Sequence, residues 1–211
     1  MAVRSIPFYQ EVQSCITAWA EAYSKEESTI YDIGCSTGTT LALLCQDIPW
    51  HLDLIGVDSS QAMLDNAEAK LAPFRIKNRV SLQCQNALDM KFQDASMIIC
   101  NFTLQFIPVR ERFTLLQKIF SGLKSGGLLF LSEKIRSAVP AFQETQTYIY
   151  ESFKRKNGYS QNEIERKKES LDNVLVPLTL TEQYDLLERA GFSTVDIVLK
   201  WHSFVSIVAL K

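Results

Sequence analysis

Asp32 lies in an apolar stretch, Ile30-Tyr31-Asp32-Ile33, that runs into Gly34-Cys35-Ser36-Thr37-Gly38. Two glycines four apart, followed by the apolar residues 41–44, read as a buried strand, a tight turn and a helix start. Gly34 and Gly38 can adopt backbone angles that a side chain forbids, so the loop can pass close to a ligand. The N-terminus of a helix exposes unpaired N–H groups, which suit a carboxylate or a phosphate. Asp32, at the strand's end, can accept hydrogen bonds from an ammonium group. A second acid, Asp58, ends the apolar run Leu54-Ile55-Gly56-Val57. It stands near the distance, about 20 residues on, at which nucleotide-binding folds place the acid that holds ribose hydroxyls. The pair fits a nucleoside better than a bare phosphate. The spacing G-x-x-x-G is not the dinucleotide fingerprint.

Other strand ends extend the cluster. Residues 79–84 alternate and predict a third strand, with Gln85-Asn86-Ala87 at its carboxyl end. In the S-adenosylmethionine (SAM) methyltransferase fold, which the glycine loop with Asp58 resembles, that position lies beside an adenine ring. Asn86 is then either a partner for the purine amine or a simple turn former. Residues 96–100 are a fourth apolar run ending at Asn101. Open parallel sheets bind ligands at the carboxyl ends of their strands, which puts Asn101 beside the reacting end. Tyr9 is either a core aromatic or a hydroxyl that reaches the ligand. Glu133 and Lys134 end a fifth strand and are either a surface ion pair or site groups. His202 falls in a turn and is given no chemistry. The glycine loop with Asp58 is similar to the first two motifs of the SAM methyltransferase fold.

The elements that must position these residues follow from periodicity. A helix is predicted over 8–23, where Val12, Ile16, Trp19, Ala20 and Tyr23 recur at helical spacing and pack on the sheet. Residues 1–9 carry no clear periodicity. Further helices are predicted over 40–47 and 61–71, the second capped by Ser59-Ser60. Another spans 110–123, with Phe113, Leu116, Ile119, Phe120 and Leu123 inward, and is stopped by Lys124-Ser125-Gly126-Gly127. A fifth strand follows over 128–131. Residues 141–173 shift in composition to two charged helical stretches flanking Asn157-Gly158-Tyr159-Ser160, a segment able to form a lid. The run Arg166-Lys167-Lys168 has a solvated helix face as its usual meaning. A helix over 181–190 and strands over 193–199 and 204–210 close the chain. Alternating strands and helices predict a doubly wound α/β sheet.

The totals narrow the class. At 211 residues, 46% of them hydrophobic, the chain is expected to be one domain with a sizeable core. A net charge of -2 provides no global basic field, so direct nucleic-acid binding is not expected. Five cysteines without a C-x-x-C pair and two histidines make no metal site and fit reduced thiols in a cytoplasmic protein. No apolar run reaches membrane-span length and no signal peptide opens the chain.

Several segments are more particular. The run Asp94-Ala95-Ser96-Met97-Ile98-Ile99-Cys100-Asn101-Phe102-Thr103-Leu104-Gln105-Phe106 is one. Leu131-Ser132-Glu133-Lys134, Phe153-Lys154-Arg155-Lys156-Asn157-Gly158-Tyr159-Ser160 and Leu171-Asp172-Asn173-Val174 are others. Together the chain resembles the carboxy-S-adenosyl-L-methionine (carboxy-SAM) synthase family, from about Arg4-Ser5-Ile6-Pro7 to the last strand. The resemblance implies a Rossmann-like class I methyltransferase fold. It consists of a mostly parallel seven-stranded sheet with an antiparallel C-terminal strand and a helical insert at about 141–175. It implies that a carboxyl group, released as carbon dioxide from prephenate, moves onto the methyl carbon of SAM through a sulfonium ylide, leaving phenylpyruvate. The product would serve a partner enzyme that carboxymethylates hydroxyuridine at the tRNA wobble position. A homodimer is implied, with the insert reaching the neighbouring subunit's site. Ligand contacts are implied for Tyr9, Gly34, Cys35, Ser36, Asp58, Ser59, Asn86, Ala87 and Asn101.

Three departures bear on function. The chain begins close to the Arg4-Ser5-Ile6-Pro7 segment, where family members usually carry an additional N-terminal stretch. Gln85-Asn86 replaces the usual Gly-Asp. Lys168 falls where the family uses an arginine to hold the new carboxylate. Lysine supplies charge without the planar two-pronged grip of guanidinium. Three readings stay open: a carboxy-SAM synthase, a conventional SAM-dependent methyltransferase acting on a small molecule, and a noncatalytic SAM-binding protein.

Overall fold

The computed structural model describes residues 2–75 and 77–211. Among them, β1 (Ser28–Ile33), β2 (Leu52–Asp58), β3 (Arg79–Cys84), β4 (Ala95–Asn101), β5 (Leu123–Lys134), β6 (Thr194–Trp201) and β7 (Phe204–Leu210) form one sheet. The strand order is β3-β2-β1-β4-β5-β7-β6. β1 to β5 pair in parallel, and β7 runs antiparallel to both β5 and β6. The chain winds outward from β1 through β2 to β3, then returns to the other side for β4. The switch in winding therefore falls between β1 and β4, and their carboxyl ends splay apart there.

Both sheet faces are covered, which is why the strands read as apolar runs rather than alternations. In β4, Met97 and Ile99 face one layer and Ile98 and Cys100 the other. The first layer is built by α2 (Tyr9–Tyr23), α3 (Thr39–Asp47) and α4 (Gln61–Leu71) through Val12, Ile16, Leu41, Leu44, Leu64 and Ala67. The second is built by α5 (Val109–Gly122) and α8 (Leu180–Ala190) through Leu115, Leu116, Ile119 and Leu187. Each Val, Leu or Ile among them contributes about 1.5–3 kcal/mol when fully buried.

The helical insert comprises α6 (Pro140–Lys156) and α7 (Gln161–Leu171), the latter opened by a capping box between Ser160 and Glu163. Its root is closed. The Arg136 N–H donates to the Leu178 carbonyl at 2.9 Å, and Arg112 Nη2 donates to the Val176 carbonyl at 2.7 Å. Its tip is fastened to the same chain's N-terminal segment, which forms a short helix, α1 (Ala2–Ser5). Arg4 Nε donates to the Asn157 carbonyl at 2.9 Å, and the Tyr150 hydroxyl to the Ser5 carbonyl at 2.9 Å.

Three local features differ from the sequence pattern. Strand β5 begins at Leu123, and residues 124–127 are not a helix stop but a bulge between the pairings Ala95↔Leu123 and Met97↔Leu128. Neither Ser59 nor Ser60 caps α4 by its side chain; Ser60 instead gives its backbone N–H to Asp58. Phe113 and Phe120 are only partly buried, and the inward face of α5 carries Arg112, which is fully buried.

Candidate active site at the strand tips

The carboxyl ends of β1, β2 and β4 bring Asp32, Asp58 and Asn101 towards one cleft. Val57 O accepts from the N–H groups of Gly34 (2.7 Å) and Cys35 (3.0 Å), which folds the glycine loop back over β2. Asp58 completes the turn. Its Oδ2 accepts from Ser36 N and its Oδ1 from Ser60 N, both at 2.9 Å. An ionised carboxylate offers about four lone-pair sites, so two remain for hydroxyl groups. The close approach that Gly34 permits is to protein. It has φ +72°, and a Cβ placed there would lie 2.4 Å from Thr103 Oγ1. The Thr103 hydroxyl donates to Ile33 O at 2.8 Å, tying the loop after β4 to the end of β1.

Asp32 is 2% exposed, and its Oδ2 has no hydrogen-bond partner among the described residues. Burial first, and then the Asp58 carboxylate, push its pKa up to about 7. Asn101 Oδ1 is likewise buried without a partner among the described residues. Tyr9 opens α2 and is partly buried, with its hydroxyl pKa raised by burial and, in smaller part, by Asp32. Burial and the two acids raise the Cys35 thiol, so it is held as a neutral thiol rather than a nucleophile. Asn86 is exposed, and its Oδ1 accepts from Leu88 N at 3.0 Å, which is the turn-forming role. Gln85 N donates to Asp58 O at 3.0 Å, which holds Asn86 and Ala87 beside the tip of β2. Ser59 follows Asp58 and is exposed.

A cavity of about 460 Å³ opens beside this cleft, between β5, β7 and the insert. Phe102, directly after Asn101, lines it together with Tyr150 and Phe204. The Phe204 ring meets Phe102 at 6.1 Å and Tyr150 at 5.1 Å between centroids. Lys134, Lys154, Lys167 and Lys168 supply its polar side. Lys168 stands 3.8 Å from Glu151, with 69% of its side chain exposed.

Glu133 and Lys134 are not a surface ion pair. Glu133 is fully buried, and burial raises its carboxyl to about 8 against the pull of Arg112. Lys134 is partly buried with its Nζ 4.8 Å from the centre of the Tyr150 ring. The sequence pattern does not single out Arg112 or Lys154, both of which are buried. Both occupy helix positions that periodicity alone assigns to a polar face. Among the described residues no group of His, Cys, Asp and Glu is placed to hold a metal ion. No helix there is long and apolar enough to cross a membrane.

Strand order, glycine loop and paired acids define a SAM-dependent transferase of the class I methyltransferase fold. The family profile described as "Methyltransferase domain" matches residues 30–127. Magnesium protoporphyrin IX methyltransferase from Synechocystis, solved with bound SAM, superposes with a TM-score of 0.65 at 16% identity. The match covers 96% of this chain and 79% of that one, and at this identity it speaks for the fold. The following relatives, among others, cover all of this chain. The carboxy-S-adenosyl-L-methionine synthase of Trichodesmium erythraeum is 49% identical over 83% of its own length. That of Methylococcus capsulatus is 42% identical over 88% of its length. The chain belongs to the carboxy-S-adenosyl-L-methionine synthase family.

Proposed function

We propose that the chain binds SAM across the tips of β1 to β4 and converts it to carboxy-SAM with prephenate as carboxyl donor. The observation that carries this reading is the junction Asn101-Phe102. The first residue faces the nucleoside cleft with an unpartnered amide oxygen, and the second lines a cationic cavity next door. The orphaned oxygen of Asp32 fits the ammonium group of SAM, and the free lone pairs of Asp58 fit the ribose hydroxyls. Gly34, Cys35 and Ser36 border the amino-acid end, with Ser59 beside the ribose. Asn86 and Ala87 flank the adenine, and Tyr9 closes the cleft from α2.

In the reaction, a carboxylate leaves prephenate as carbon dioxide and the ring hydroxyl departs as the ring becomes aromatic, giving phenylpyruvate. The methyl carbon of SAM loses a proton and bonds to the carbon dioxide; proton and hydroxyl leave as water. The chain's own contribution is to hold both substrates in one geometry and exclude bulk water. Lys168 supplies a cation for the new carboxylate. The 211 residues act as a single domain, with the insert at about 141–175 as its lid, in a cytoplasmic homodimer. Carboxy-SAM is the product, consumed in tRNA wobble-uridine modification by another enzyme.

Mass spectrometry of the small molecule that copurifies, together with a prephenate-consumption assay, tests the reading. Carboxy-SAM and phenylpyruvate are expected. Unmodified SAM with no prephenate consumed would replace it with conventional methyl transfer to a small acceptor.

A further inference from the structure

Lys134 reaches the cavity from the end of β5 and Lys154 from α6, and both ammonium groups lie against one ring. Their Nζ atoms are 4.8 and 4.5 Å from the centre of Tyr150. The other two cavity lysines are engaged. Lys167 donates to Ser5 Oγ at 3.1 Å and to the Tyr159 hydroxyl at 3.3 Å, and Lys168 pairs with Glu151. Lys134 and Lys154 make no hydrogen bond or ion pair with any described residue through their ammonium groups. Yet Lys154 is 5% exposed. A buried cation without an ion-pair partner is costly, and here burial, then Lys134, push the Lys154 pKa down to about 8 against the pull of Glu151. The charged residues lining the cavity are four lysines against Glu151 and Asp172, an excess of two positive charges. Phe102, Tyr150 and Phe204 give the same cavity an apolar floor.

We infer that Lys134 and Lys154 form a dianion-selecting subsite that holds a six-membered-ring dicarboxylate, its ring on the aromatic floor and its carboxylates on the two ammonium groups. The subsite is distinct from the role given to Lys168, and it rests on the proposed function in taking prephenate as the acid bound. Two cations aimed into a partly dry, aromatic-floored space favour a ring with two charges over the same ring with one. They therefore separate the substrate, a dianion, from phenylpyruvate, a monoanion, and let the product leave.

The test is direct titration of the full-length protein with prephenate and with phenylpyruvate. The wild type should bind prephenate at least about tenfold more tightly. Lys134→Gln combined with Lys154→Gln should reduce that preference below about threefold while SAM affinity stays within about twofold, which certifies the fold. A double variant that keeps the preference overturns the inference, as does a wild type that binds both acids equally. A variant-free measurement stands beside this: with increasing salt, wild-type affinity for prephenate should fall about twice as steeply as that for phenylpyruvate. Equal slopes also overturn it. Carboxy-SAM formation is scored separately. Lysine-dependent prephenate binding without product would sink the proposed function and leave the subsite standing; product formation with lysine-independent binding would do the reverse.

Discussion

Asp58 Oδ2 accepts the backbone N–H of Ser36 at 2.9 Å, which joins the tip of β2 to the loop that leaves β1. With Oδ1 bound to Ser60 N, one carboxylate shapes the cleft from two sides and keeps capacity for a ligand.

Asp58→Asn replaces a charged acceptor with a neutral one that also brings an unmatched N–H₂. Hydrogen bonds to a charged group contribute roughly 1.5–3 kcal/mol. SAM affinity should therefore drop at least about tenfold by calorimetry, with a lowered Tm from the loosened loops. Unchanged affinity would remove Asp58 from the site.

Asp32 can receive an ammonium group only as a carboxylate. Its pKa of about 7 in the ligand-free protein means that SAM binding must expel a proton at lower pH. Affinity should weaken about tenfold per pH unit below neutrality and level off above it. Asp32→Asn should bind weakly with a flat profile. A flat wild-type profile between about pH 5.5 and 8 would contradict the assignment.

Glu133 predicts how stability responds to pH. Its carboxyl titrates near 4.5 when unperturbed and near 8 in the folded chain, so the folded state holds the extra proton between those values. Stability present below the lower value is lost as pH rises through the upper one. Asp32 acts in the same sense between 3.8 and about 7. The Tm of the ligand-free protein should decline from about pH 5 to 8.5, and Glu133→Gln should flatten the alkaline part of that decline. Parallel curves for the two proteins would count against a neutral Glu133.

Gly34→Ala meets both a left-handed backbone and Thr103. Strain and overpacking together should cost about 2–3 kcal/mol in chemical denaturation. Adding Thr103→Ala should make the double variant less destabilised than the sum of the two single changes. Simple additivity would show that the two loops do not touch.

Lys168→Ala should weaken carboxy-SAM at least about tenfold more than SAM, and Lys168→Arg should favour carboxy-SAM by restoring a two-pronged grip. Equal effects on both ligands would leave Lys168 as a partner of Glu151 only.

The strand-tip residues were legible because each ends an apolar run that both sheet faces bury. That rule places Asp32, Asp58 and Asn101 at the tips of β1, β2 and β4. The cavity was not legible. Lys134 and Lys154 are twenty residues apart on a strand and a helix, and only tertiary packing brings them to one ring. Arg112 was hidden because helical spacing places it among polar neighbours, whereas its guanidinium satisfies the carbonyls of Gln105, Ile107 and Val176 from inside. The early start of β5 was hidden because Gly126-Gly127 looks like the end of a helix but forms a bulge.

The excursion between Arg136 and Leu178 leaves the end of β5 and returns to the start of α8 through a gate closed by hydrogen bonds at Arg136–Leu178 and Arg112–Val176. Closing a longer chain across such a gate costs little more than closing a short one. Exchanging or lengthening that excursion is therefore limited less by chain closure than by its ring contacts with the sheet, Tyr150 on Phe204 at 5.1 Å and Phe153 on Trp201 at 5.6 Å. A scaffold hinged in this way can acquire a new co-substrate by rewriting some forty contiguous residues around those ring contacts, while its strand tips are inherited unchanged.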